Sequence, residues 1–209
     1  MRRTLLRGMS DIVGDLYGMS APANTATMKA ADASAQEDQP ALPPFQQLWK
    51  TADESIDWTD ILVSPEPTDG LTPPDKWALY HRYAADVLRG DIGAYLAVLQ
   101  AENPMADLTP YVSALEVTTA DADTLRASFA ARADLLTADA RAYLCGMALR
   151  IARDLFAALP VLVVDVTATH DGRTLLTVRF TRAALNKVRF AFIDPVEFVM
   201  GCGAECAAQ

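Results

Sequence analysis

Residues 161–180 read VLVVDVTATHDGRTLLTVRF, and the way this stretch pairs with itself decides what kind of protein the chain can be. It holds His170, one of only two histidines, next to Asp171. The pair is either chemistry or a corner. Strand side chains alternate between faces, so a one-residue slip in pairing exchanges the two sides of the ribbon. A two-residue Asp171-Gly172 loop carried straight into both strands sets Val164 opposite Arg179 and Asp165 opposite Val178, mixing oily and polar groups on each face. A three-residue loop, His170-Asp171-Gly172, sorts them. Leu162, Val164, Val166, Leu176, Val178 and Phe180 then share one face, and Asp165, Thr167, Arg173, Thr177 and Arg179 the other. That register is the expectation, with Gly172 in the left-handed conformation such loops need. It makes His170 a solvent-exposed loop residue and Asp171 a turn former, and no Ser or Cys lies nearby in sequence to serve as a nucleophile.

Working backwards, TADARAYLCGMALRIARDLFAALP (137–160) is a strong helical pattern. Leu144, Met147, Ile151, Leu155 and Leu159 form a stripe, Thr137 can cap it, Pro160 ends it, and Arg150 and Asp154 form an i,i+4 pair. Before it, SALEVTT and TLRASFA flank ADAD. With residue 119 opposite 125, Leu115, Val117, Leu125, Ala127 and Phe129 fall on one side. Two further helices precede this hairpin. One opens at Pro73-Pro74 and buries Trp77, Tyr80, Ala84, Val87 and Leu88 before Gly90; the other is capped by Asp91 and buries Ile92, Tyr95, Leu96 and Leu99. After residue 180, Thr181 and Asp194 can cap two short helices. The fold expected is α+β: a four-stranded, mainly antiparallel sheet in ββαββα order, covered by helices.

At the N-terminus, Leu6, Met9, Val13 and Leu16 recur at three- and four-residue steps, predicting an amphipathic helix within residues 1–18. Residues 19–44 are rich in Ala, Ser, Thr and Pro without large apolar residues and read as a linker. The α+β domain spans 45–200, and 201–209 form a C-terminal tail.

The 209 residues, 51% of them hydrophobic, suffice for one sizeable core. A net charge of -9 argues against general nucleic-acid or anionic-membrane binding. The charge is unevenly laid out. The middle of the chain carries Asp53, Glu54, Asp57, Asp60 and Glu66 among its acids, whereas Arg173, Arg179, Arg182, Lys187 and Arg189 make the C-terminal part basic. Arg173 and Arg179 are expected to project from one polar strand face, where the acidic segment could mask them. Three cysteines do not make a secreted disulfide framework. MRRTLLRG is followed by Asp11, Gly14 and Asp15 where an export signal needs an apolar run, and no window has 18 consecutive apolar residues. A cytoplasmic protein without membrane attachment is expected.

No cofactor or metal motif emerges. Cys202 and Cys206 could serve as half a metal site, but the two histidines, His81 and His170, lack a matching spacing; Cys145 sits in the helical core pattern. Glu116, Asp121 and Asp123 could imitate a nuclease carboxylate cluster, yet no lysine occurs from 77 to 186.

YHRYAADVLRGDIGAYLAVLQAENPMADL (80–108), YLCGMALRIARDLFAALPVLVVDV (143–166) and LTVRFTRAALNKVRFAFIDPVEFV (176–199) follow one another in an order that resembles an uncharacterised bacterial C-terminal domain of unknown function, over residues 76–200 or so. The resemblance implies a single folded unit and a bacterial origin, and carries no catalytic motif. AARADLL (130–136) stands where that domain has a longer, lysine-containing segment. The function expected is a non-catalytic interaction or scaffold module. Residues 5–17, through Leu6, Met9, Val13 and Leu16, are expected to dock on the chain's own domain, on a second copy or on another protein, and Arg173 and Arg179 are the other candidate partner-binding residues. A metal-dependent nuclease-like enzyme or its inactive descendant is the first alternative, and a masked nucleic-acid-binding regulator the second.

Overall fold

The structure is a computed structural model describing residues 3–4, 45–67, 73–119, 121–136 and 139–207. Arg3–Thr4, at the start of the expected N-terminal helix (1–18), are a strand instead; the rest of that helix, the linker and the Thr137 cap lie outside these residues. The described chain is α+β. A mixed six-stranded sheet runs in the order β1 to β6, with four long strands, β2 (Val112–Thr119), β3 (Thr124–Ala131), β4 (Val163–His170) and β5 (Arg173–Thr181). Two-residue strands flank them: β1 (Arg3–Thr4) beside Thr118–Thr119, and β6 (Glu205–Cys206) beside Leu176–Thr177. The stretch expected as a tail therefore closes one sheet edge.

The expectation of four mainly antiparallel strands needs correction at the centre, because β3 and β4 are parallel. Their connection is the long helix, here α4 (Ala140–Ala158), the fourth after α1 (Trp58–Val63), α2 (Pro74–Leu88) and α3 (Ile92–Glu102). A helix that packs back on the sheet returns the chain to the end where β3 began, so the next strand must run the same way.

The first hairpin has the expected register, with Thr119 opposite Leu125 and Leu115 opposite Phe129. The second does not. Asp171 and Gly172 form a two-residue loop with φ of 47° and 73°, and His170 pairs with Arg173. A bulge follows, and Val166 faces Val178 while Val164 faces Phe180. One extra residue in β5, Leu175, restores the parity that the short loop would have spoiled. Turn chemistry and face sorting, which compete in a regular ribbon, are both satisfied. Val164, Val166, Ala168, Leu176, Val178 and Phe180 are buried under α4, as are Leu125, Ala127 and Phe129 of β3. Leu162 precedes β4 and is 54% exposed, contrary to expectation. Leu88, also expected inside, is 41% exposed.

On its other side α4 carries a strap made of residues 45–57. The Ile56 N–H donates to the Ala157 carbonyl, and Trp58 Nε1 donates to Ala158 O at 3.0 Å. Trp49 lies against Gly146, where a Cβ would come within 3.0 Å of its ring. Arg150 and Asp154, which read in sequence as an ordinary i,i+4 pair, are the strap's polar anchor. Arg150 Nε donates to Asp154 Oδ2 at 2.7 Å, Nη1 to Thr51 Oγ1 at 2.7 Å and Nη2 to Asp107 Oδ2 at 3.0 Å. The Asp53 N–H donates to the second Asp154 oxygen at 3.2 Å. Both side chains of the pair are buried, so full hydrogen bonding is what makes their burial tolerable.

Candidate functional site

The sequence after β5 builds the most exposed apolar feature among the described residues. Thr181 Oγ1 accepts from the Ala184 N–H and starts a short helix, α5 (Arg182–Leu185), whose Leu185 is buried. Arg182 turns back under α4. Its Nε donates to Val161 O at 2.8 Å and Nη2 to Phe156 O at 2.8 Å and to Leu159 O. Those of Phe156 and Leu159 are carbonyls that the end of α4 would otherwise leave bare. Phe190 is held beneath the Arg153 guanidinium, 3.8 Å from its ring centre. The next turn drives Phe192 outward, 85% exposed. Asp194 then accepts from the Glu197 N–H at 2.9 Å and, with Pro195, starts α6 (Pro195–Gly201), which Val199 anchors in the core.

Between α5 and α6 lies a groove of about 590 Å³, lined by Ala184, Phe192, Ile193 and Phe198 with Asp194 and Glu197 on its rim. An apolar trough with carboxylates at its lip suits an apolar segment that carries cations. The sequence marked this region only by its caps, because the groove arises from how two short helices lean on α4.

A second, polar cleft of about 560 Å³ lies among the strap, α2 and the end of α3. Lys76 Nζ is 2.9 Å from Glu102 Oε2, and this bond, with one to Tyr80, holds the lysine well above its usual range. Burial pushes the Tyr80 hydroxyl up to about 12. Asp53, Glu54 and Asp107 complete an acidic wall. Behind it burial pushes Asp154 up to about 7, opposed by the charge and hydrogen bond of Arg150.

The residues singled out from sequence are dispersed. His170 closes β4, with Nδ1 3.1 Å from the Ala131 carbonyl oxygen and its side chain 31% exposed; its neighbour Asp171 is 89% exposed. The histidine is therefore a half-buried strand end, not an exposed loop residue, and no buried acid pairs with it among the described contacts. Glu116 sits midway along β2 opposite Ser128, whereas Asp121 and Asp123 shape the hairpin turn, where Asp121 Oδ1 accepts from the Asp123 N–H. Among the described residues no three His, Cys, Asp or Glu side chains are placed to hold a metal.

The expected basic strand face is divided. The Leu175 bulge turns Arg173 to the side of His170, while Arg179 keeps the outer face and donates to both Asp165 oxygens at 2.7 and 2.9 Å. Arg182 is spent on α4. The described part of the acidic segment lies along α4 and α2 rather than over β5. Leu6, Met9, Val13 and Leu16 fall outside the described residues.

Comparison with family models, with curated proteins and with solved structures finds no match. No described helix is long and apolar enough to cross a membrane.

Proposed function

We propose that the protein is a non-catalytic interaction module that self-associates, the amphipathic segment 5–17 of one copy seating in the α5–α6 groove of another. The observation that carries this reading is Phe192, a large aromatic 85% exposed beside an apolar trough with an acidic rim. Exposed aromatics at a concave apolar patch are the usual anchors of protein contacts. The chain itself contains a complement: Leu6, Met9, Val13 and Leu16 form the stripe, and Arg2, Arg3 and Arg7 supply charge opposite to Asp194 and Glu197.

Exchange between copies is favoured over docking within one copy by the topology. Arg3–Thr4 pairs with β2 at one end of the sheet, while the groove flanks β5 and β6 at the other. Five strand steps span about 24 Å. A 13-residue helix is only about 20 Å long, so within one copy its stripe would begin at the wrong edge. Reciprocal exchange gives a closed, two-fold assembly.

Size-exclusion chromatography with light scattering tests this on the full chain, a chain lacking residues 1–19, and Phe192→Asp. The full chain is expected to run as a dimer and both variants as monomers, each still unfolding in one cooperative thermal transition. Equal masses for all three would refute the proposal.

A further inference from the structure

Arg153 joins two segments that are far apart in the chain and meet on one side of α4. Its Nη1 donates to the carbonyls of Trp49 and Thr51, the latter at 3.1 Å, so it grips the strap by the backbone. Its guanidinium lies 3.8 Å from the Phe190 ring centre. The strap turn Phe45–Lys50 and the turn Phe190–Phe192 also lie side by side. Nearby on the same helix, Arg150 holds the strap by a different route, through Thr51 Oγ1 and Asp154. The Phe190–Phe192 turn has no buried residue of its own, and Phe192 at its end lines the groove.

From this geometry we infer that Arg153 links the strap to the groove: the Phe190–Phe192 wall is held in place while residues 45–57 are docked on α4, and release of the strap frees it. The inference rests on the α5–α6 groove being the docking site, and it adds a control on that site. With the strap in place, its two carbonyls satisfy the guanidinium and fix it over the Phe190 ring. When the strap leaves, those acceptors leave with it. A half-buried guanidinium without them turns toward water, because a buried charge with unmet donors is costly. That movement takes the cation off Phe190. The turn is then left with the partial packing of Phe190 and the bond from the Phe192 N–H to the Arg189 carbonyl, 3.0 Å. The coupling is reciprocal: a segment that seats in the groove and orders its wall tightens the strap on α4 by the same factor. In sequence the strap follows directly on residues 1–44, which carry Leu6, Met9, Val13 and Leu16. The segment offered to a partner's groove is thus continuous with the element that shapes the chain's own.

Hydrogen exchange of the full chain, read by mass spectrometry over peptides covering 45–57 and 189–194, tests the link. Thr51→Val keeps the side-chain shape, removes the bond from Arg150 and leaves the carbonyls that Arg153 uses. It is expected to speed exchange at least about fivefold in the strap and also in 189–194, although the described bonds of Thr51 go to Leu48, Arg150 and Arg153. Phe190→Leu should act in the other direction, speeding exchange of the Asp53 and Ile56 amides by a similar factor. In an Arg153→Met background, which removes the bridge, Thr51→Val should no longer reach 189–194. Exchange confined in each single variant to the substituted segment would overturn the coupling, and transmission that survives Arg153→Met would overturn the role of Arg153. The readout lies within one copy. Linked exchange in a chain that light scattering shows to be monomeric would refute self-association and uphold the coupling, and a dimer with unlinked exchange would do the opposite.

Discussion

Replacing Arg150 by methionine should be among the most damaging single changes in the chain, and its size can be worked from the geometry. The substitution keeps an unbranched apolar stem, so packing against the strap changes little. What goes is the only cation within hydrogen-bond reach of Asp154 among the described residues, together with the bond to Thr51 Oγ1; the Asp154 carboxylate has no exposed surface. Breaking a buried pair on one side costs about 3–5 kcal/mol. The lost link to Asp107 adds little, because that carboxylate is 58% exposed. For a chain of this length the loss corresponds to a fall in Tm of roughly 6–20 °C.

The loss should depend on pH. Burial raises the folded Asp154 to about 7 from an ordinary 3.8. The folded protein therefore holds this proton where the unfolded chain has released it. The group's contribution to wild-type stability is full below about 3.8 and is lost as pH rises through 7. In Arg150→Met the carboxyl holds the proton more tightly still, so the penalty should be largest near pH 8 and shrink toward pH 5.5. Urea denaturation followed by the fluorescence of Trp49 and Trp58 measures it. Arg150→Met combined with Asp154→Leu should lose less than the sum of the two single changes, by about 1–3 kcal/mol. A single loss below about 1 kcal/mol at pH 8, or strict additivity in the double variant, would refute the reasoning.

Two further substitutions probe how the chain reverses direction. Gly90→Ala puts a Cβ 2.5 Å from that of Ala122 at a φ of 77°, and should destabilise by more than about 1 kcal/mol in thermal melts. Arg182→Met strips the guanidinium from the carbonyls of Phe156 and Val161, and a loss of about 1.5–3 kcal/mol is expected in urea denaturation, with Arg182→Lys recovering only part because it lacks the planar fork.

What could be read from the sequence was local. The caps at Asp91, Thr181 and Asp194 all form, each accepting an N–H from the first turn of its helix. The first hairpin has the register expected from its apolar residues, since a one-residue slip would put Val117 and Leu125 on opposite sides. The second hairpin shows the limit of such reasoning. Of the residues expected inward all but Leu162 are buried, but the expected three-residue loop requires parity to hold along a regular ribbon, and the Leu175 bulge breaks it. The same bulge separated Arg173 from Arg179, dividing a basic face that existed only in the regular ribbon. Nothing in the spacing of Arg150 and Asp154 distinguishes a buried pair from a solvated one, because i,i+4 geometry is identical in both settings. Only the strap laid over α4 does so.

Alternation of oily and wet side chains along strands, a helical stripe and capping residues are short-range properties, written in neighbouring residues and set by backbone geometry. They determined the four long strands, the long helix and most of their inward faces. The parallel β3–β4 pair, the strap over α4 and the α5–α6 groove join residues far apart in the chain. Those were decided by which apolar faces could close on one another, a competition settled only when the whole chain is packed.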